Sequence, residues 1–180
     1  MADGEHFRRE AGGSTRYRVR VTKDYTVFCS GHFITYENDK CEALHGHNYR
    51  AAASLEGELN ADAYVFDFVA LKKLLRAICD RLDHRLMLPL HNPLLTLEQD
   101  EASVTIRFRD KRYVVPREDV VLLPISNTTA EKLAEWIGGE LEQALRARNV
   151  PGLRALEVEV EESFGQSAFC RRELPPARPA

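Results

Sequence analysis

Apolar and polar positions alternate from Tyr17 to about Phe33, with Tyr17, Val19 and Val21 on one side. The run predicts a strand with a break near Lys23-Asp24. The alternation is cleaner from His45 to Leu59, where His45, His47, Tyr49, Ala51, Ala53 and Leu55 share one strand face. The two segments predict an antiparallel pair. At Asp67 the period changes. Asp67 stands where a helix N-cap belongs, and Phe68, Leu71, Leu74, Leu75, Ile78 and Leu82 recur at helical spacing. A second helix is expected from near Thr128, with Thr128 and Glu131 at capping-box spacing. Its stripe is Leu133, Trp136, Ile137, Leu141, Ala144 and Leu145, and Pro151-Gly152 ends it. Between the helices, in the stretch 88–125, the segments 104–108 and 112–115 flank a polar turn and predict a hairpin. A last strand pair is expected at 154–163 and 167–172. There Leu156, Val158 and Val160 alternate with Glu157, Glu159 and Glu161.

The order β-β-α-(hairpin)-α-β-β is that of an α+β domain with an antiparallel sheet. One domain is expected over 15–173, carrying 88–125 as an insertion, between a flexible polar N-terminus (1–14) and a flexible Pro-rich tail (174–180). A chain of 180 residues that is 44% hydrophobic and 29% charged can bury one core and is not disordered. A net charge of −3 lacks the basic surplus of a general nucleic-acid binder. No apolar run approaches the ~20 residues that span a bilayer, and the first ten residues lack the apolar core of a secretory signal. Cys29, Cys41, Cys79 and Cys170 form no CxxC pair. They are read as free thiols in a reducing cytosol, Cys29 and Cys79 as core thiols, so the expected location is cytoplasmic.

Three histidines change the picture. His45-Gly46-His47 puts two imidazoles on one side of a strand, and Gly46 lets another group approach the backbone closely. His32 ends the preceding strand, where a paired neighbour would face them. Three imidazoles with an open fourth position describe a catalytic Zn²⁺ site, whereas a structural zinc normally uses cysteines. An HxH pair by itself is more often two packed or surface histidines. Cys41 precedes this group and is flanked by Lys40, two features that lower a thiol pKa and favour a thiolate base or nucleophile. Asp83-His84 sets a carboxylate beside an imidazole, where it can hold one tautomer, although the dipeptide alone is common. Glu162 shares the parity of Leu156, Val158 and Val160, so it points to the apolar face, where an unpaired carboxylate is costly. The N–H edge of an aminopyrimidinone would satisfy it. If the strand ends at Glu161, Glu162 is simply solvated.

In this order the residues resemble the 6-pyruvoyl-tetrahydropterin synthase family, which includes the 6-carboxy-tetrahydropterin synthases of the queuosine pathway. The matching stretches are Phe28-Cys-Ser-Gly-His32, Cys41-Glu-Ala-Leu-His-Gly-His-Asn-Tyr49, Val65-Phe-Asp-Phe-Val-Ala-Leu-Lys72, Leu82-Asp-His84, Asn127-Thr-Thr-Ala-Glu131 and Val160-Glu-Glu-Ser163. The resemblance implies the tunnelling fold: an antiparallel four-stranded sheet with two helices on one face, here with an inserted β-hairpin between the helices. It also implies a homo-oligomer, commonly a hexamer of two trimers. It makes His32, His45 and His47 the zinc ligands, Cys41 the catalytic thiol, and Asp83 and His84 the pair that joins proton transfer. Glu162 becomes the anchor of the pterin ring, and Thr128 and Thr129 fall among the substrate-binding residues. The implied substrate is 7,8-dihydroneopterin triphosphate and the product a 6-pyruvoyl- or 6-carboxy-tetrahydropterin. The chain departs from the family pattern in three places. Glu42 follows Cys41, as in a subgroup that also carries the Glu of a folate-pathway branch forming 6-hydroxymethyl-dihydropterin, which makes Glu42 a second catalytic candidate. The stretch between the helices is long, and Leu86-Met87-Leu88 follows the Asp-His pair. A pterin-fold binding or scaffold protein is the non-enzymatic alternative. The complete residue set favours the enzyme.

Overall fold

The two long alternations become β1 (Tyr17–His32) and, after the two-residue strands β2 (Thr35–Tyr36) and β3 (Lys40–Cys41), β4 (His45–Gly57). The computed structural model describes residues 16–175. The expected flexible N-terminus at 1–14 and the last residues of the Pro-rich tail lie outside that range. Strands β1 and β4 pair antiparallel from Tyr17 opposite Gly57 to His32 opposite His45. The register shifts between Thr22 and Val27, at the break expected near Lys23-Asp24.

Helix α1 (Phe68–Cys79) starts as expected, with the Asp67 side chain accepting the Ala70 N–H. Its first residue, Phe68, is exposed, so the buried stripe begins at Leu71. The chain continues through β5 (Arg85–Pro89), β6 (Thr96–Gln99), β7 (Ser103–Phe108), β8 (Lys111–Pro116) and β9 (Val120–Leu123). Helix α2 (Ala130–Arg146), β10 (Leu153–Ser163) and β11 (Gln166–Glu173) follow. The N-cap of α2 is Thr129, whose hydroxyl accepts from the Lys132 N–H, and not Thr128 as the Thr128/Glu131 spacing predicts. Pairing outlasts β11 by one residue, since the Leu174 N–H donates to the Arg154 carbonyl at 2.8 Å, inside the expected tail.

The expected four-stranded antiparallel sheet is corrected to a six-stranded mixed one, in the order β11-β10-β4-β1-β5-β9. The first four strands are antiparallel, while β5 runs parallel to β1, and β9 parallel to β5. The reason is legible afterwards. Leu86-Met87-Leu88 and Val120-Val121-Leu122-Leu123 are unbroken apolar runs, as parallel strands covered on both faces require, and they carry no period to identify them. The stretch 88–125 therefore feeds the main sheet at both ends. Its middle forms a separate three-stranded antiparallel sheet, β6-β7-β8, of which the expected hairpin is the β7–β8 pair.

Two apolar clusters result. The larger joins Leu71, Leu75 and Ile78 of α1, and Leu133, Ile137 and Leu141 of α2, to one sheet face that includes Phe28, Tyr49, Ala51, Leu55, Val158 and Val160. The smaller is Phe33, Leu86, Leu88, Val104, Ile106 and Val120, between the β5–β9 side of the main sheet and the three-stranded sheet. The opposite face of β1, β4, β10 and β11 carries ion pairs of Arg18 and Arg171 with Glu56, of Arg20 with Glu159 and of Arg50 with Glu161. Among the described residues no helix is long and apolar enough to cross a membrane.

Candidate active site

Strand pairing brings the three histidines together. His32 lies directly opposite His45, Ser30 opposite His47, and Phe28 opposite Tyr49, so these side chains stack along one face of two adjacent strands. Ring centroids are 4.6 Å apart for His32–His45, 5.2 Å for His32–His47 and 4.9 Å for His45–His47. Gly46 permits this register. A Cβ there would lie 2.9 Å from the Ser30 carbonyl oxygen on the facing strand, so any larger residue would push β1 and β4 apart.

Backbone carbonyls set two of the tautomers. His32 Nδ1 lies 3.0 Å from the Thr128 carbonyl and His45 Nδ1 lies 2.9 Å from the Ala43 carbonyl. A carbonyl only accepts, so in the neutral rings each Nδ1 carries the proton and each Nε2 keeps its lone pair. His32 is 1% exposed, and its Nε2 is buried with no hydrogen-bond partner. Glu162 Oε1 approaches that nitrogen to 3.1 Å, but off the line a hydrogen bond needs. A buried lone pair left in this way fits a metal ion. One nitrogen from each of His32, His45 and His47 lies within 4.8 Å of the others.

Glu162 points inward, as its parity predicts. Besides His32, it meets His47 Nε2 at 3.5 Å and accepts from the Tyr49 hydroxyl at 3.3 Å. When the His32 ring is protonated it holds the Glu162 carboxyl below the ordinary carboxylate range, against the opposing push of burial. Burial, then the nearby Glu162, pushes the Tyr49 phenol up, which keeps it a donor. His47 is lowered by burial above all, with Glu162 acting in the opposite direction and the other two imidazoles adding to the lowering.

A pocket of about 550 Å³ opens over this group, lined by Ile34, Glu42, His45, His47, Glu162 and the start of α2, with Gln166, Ser167 and Ala168 closing one side. A second hollow, of about 400 Å³ at the C-terminal end of α2, has no histidine in its lining.

The remaining expected site residues are placed unevenly. Glu42 lines the pocket; its Oε2 receives the Ile34 N–H at 3.4 Å and lies 4.0 Å from His45 Nε2. Cys41 is absent from the lining and packs against the smaller apolar cluster, its thiol donating to the Glu42 carbonyl at 3.4 Å. Lys40 pairs with Glu37, and the cation that acts on Cys41 is Lys111. Burial outweighs that cation and pushes the Cys41 thiol up, the reverse of the lowering expected from sequence. Thr129 lines the pocket. Thr128 is fully buried: its hydroxyl donates to the Phe33 carbonyl and its own carbonyl holds His32, so it orients a histidine and presents no free hydroxyl.

Asp83 and His84 are not in the pocket of the same chain. Burial raises the Asp83 carboxyl, but the Cys29 N–H and His84 outweigh it and leave it below the ordinary range. His84 has a left-handed backbone (φ 56°), held by its N–H to the Cys29 carbonyl at 2.7 Å, and its side chain is 82% exposed. Cys29 is exposed and not a core thiol, because Phe28 and Ser30 take the inward positions. Cys79 is buried, with its thiol pushed up to about 12. Sequence reasoning missed Lys111, Ile34 and Gln166-Ser167. Only the closeness of the last pair to Glu162 across the β10–β11 turn was a signal.

The sequence pattern of one family, 6-pyruvoyl tetrahydropterin synthase, matches residues 20–173. A Methanocaldococcus jannaschii protein, named provisionally as a 6-carboxy-5,6,7,8-tetrahydropterin synthase, is 36% identical over 148 residues, covering 82% of this chain and 90% of the relative. The crystal structure of 6-pyruvoyl tetrahydropterin synthase from Plasmodium vivax superimposes with a TM-score of 0.82 at 30% identity, over 89% of this chain and 99% of that one. Variants of that enzyme replace a catalytic glutamate by alanine or cysteine, and both superimpose at 0.81. A dihydroneopterin monophosphate aldolase from Pyrococcus furiosus is 38% identical over a shorter stretch of 58 residues, 32% of this chain and 48% of the relative.

Proposed function

The chain belongs to the 6-pyruvoyl tetrahydropterin synthase family, and on that premise we propose that it is a zinc-dependent lyase acting on the side chain of 7,8-dihydroneopterin triphosphate, with a 6-carboxy-tetrahydropterin as product. The observation that carries this is the buried Nε2 of His32, which makes no hydrogen bond, beside two further imidazoles that line a pocket with Glu162 and Glu42. His32, His45 and His47 would hold the metal. Bound there, zinc supplies Lewis acidity toward the oxygens of the substrate side chain.

The chain's own groups do the rest. Glu162 accepts from the N–H edge of the pterin, a planar donor pair suited to a carboxylate, and the Tyr49 hydroxyl steadies it. Glu42 stands in the pocket wall as an acceptor for a side-chain proton, and Cys41 lies behind it as the alternative carrier. Asp83 and His84 act from a neighbouring copy. Their absence from the pocket lining and the open position of His84 support an assembly, a hexamer of two trimers in this reading, whose sites are completed across subunits.

The test is incubation of zinc-loaded protein with 7,8-dihydroneopterin triphosphate and identification of the pterin product by mass. A 6-carboxy product is expected, and no consumption of substrate would sink the reading. A second reading, cleavage to 6-hydroxymethyl-dihydropterin, is favoured by one observation: Glu42 lines the pocket and Cys41 does not.

A further inference from the structure

Lys111 sits at the start of β8, beyond the β7–β8 turn and outside the sequence stretches that carry the family resemblance. Its ammonium donates to the Cys41 carbonyl at 2.9 Å and to the Glu42 carbonyl at 3.3 Å. The three-stranded sheet also packs its apolar side chains against Phe33 and Cys41. Tyr113 stacks on Phe33 at 6.0 Å, and Val104 and Ile106 belong to the cluster against which Cys41 packs. On the rim, Arg109 pairs with Asp39 at 3.4 Å.

Adjacent side chains on an extended segment point to opposite sides. Whichever of Cys41 and Glu42 faces the pocket, the other faces away. Rotating the peptide units around these two residues would exchange them, and that rotation moves the two carbonyls that Lys111 holds. We propose that Lys111 is a positioning residue: by fixing the carbonyls of Cys41 and Glu42 it keeps the carboxylate in the pocket and the thiol against the smaller cluster, so the inserted sheet selects which proton carrier, and hence which product, the site uses.

The product arm of the test rests on the function proposed above. The labelling arm does not, so the two can fail separately. The whole chain is treated with iodoacetamide, and labelling of Cys41 is followed by mass spectrometry with exposed Cys29 as the reference. In Lys111→Met, Cys41 labelling is expected to rise about fivefold to tenfold, the scale of one ordinary hydrogen bond, since the lysine is exposed. Lys111→Arg restores slow labelling, and Arg107→Met, which removes a cation from the same sheet without touching the Cys41–Glu42 turn, changes nothing. The sign is decisive. If Lys111 acts only as a nearby charge, its removal makes the thiol a poorer nucleophile and labelling slows. Unchanged or slower labelling overturns the proposal. In turnover, Lys111→Met is expected to lower kcat with little change in KM and to shift the ratio of pterin products. An unchanged ratio together with faster labelling would refute the link to product choice.

Discussion

The imidazoles and Glu42 reach one pocket from two differently built bodies. His32, His45 and His47 stand on β1 and β4, whose inward positions continue into the large cluster under both helices, where Phe28, Tyr49, Ala51 and Leu55 are fully buried. The Cys41–Glu42 turn rests on the smaller cluster, roofed by β6–β8 and held by Lys111. The first body fixes geometry, because shifting any imidazole means shifting two central strands. The second is a thinner layer, held by few buried side chains and an exposed lysine. The metal-type donor set and the acid-base choice therefore rest on different supports, and they meet at His45, which the Ala43 carbonyl holds and Glu42 approaches.

The largest effect should come from the rigid body. His47→Ala should lower turnover by about a thousandfold or more, the scale of a lost Lewis acid, and bound zinc should be lost with it. Metal analysis and turnover check this, as does a chelator whose effect zinc reverses. A fully active His47→Ala would break the division at its root. Next is the adjustable body. Glu42→Gln should lower kcat by about 10²–10⁴-fold with the thermal midpoint unchanged, and Cys41→Ala should cost less. The opposite order would restore the thiol as the main proton carrier, which is where the sequence argument placed it.

Stability should divide along the same line. Leu71→Ala in the large cluster should cost about 2–5 kcal/mol in denaturant unfolding, and Ile106→Ala in the smaller one should fall at the low end of that range. Amides of β6–β8 should exchange hydrogen through smaller openings than those of β4 and β10. Equal protection would mean the two bodies are one.

The smallest effect belongs to the charged face of the sheet. Hydrogen bonds from Arg171 and Arg18 hold the Glu56 carboxyl down from its ordinary 4.5 to about 2. A depressed carboxyl contributes stability that is complete above pH 4.5 and is lost as pH falls toward 2. Arg171→Met should therefore lower stability at neutral pH by about 1 kcal/mol or less and flatten the acid side of its pH profile. Such a change should leave turnover alone, since neither residue lines the pocket.

Legibility followed periodicity. Strands β1, β4 and β10 alternate in sequence, so their faces were readable, and with them the convergence of His32, His45 and His47; that Glu162 joins them was not. The Asp67 cap and both helix stripes were readable for the same reason. Strands β5 and β9 were not, because residues apolar on every side carry no period and gave no sign of joining the main sheet. Cys29 was misread because an apolar neighbourhood in sequence says nothing of which way one strand residue points.

By itself the sequence determined what depends on local spacing: two helices, the antiparallel strands, the same-face imidazoles and the family motifs. Only the tertiary structure decided what depends on contacts between distant segments. The Lys111 contact joins residues 70 positions apart, the Thr128 carbonyl orients His32 across 96, and Glu42 rather than Cys41 lines the pocket. No local pattern encodes such choices, because a carbonyl or an ammonium finds its partner only after the intervening chain has folded.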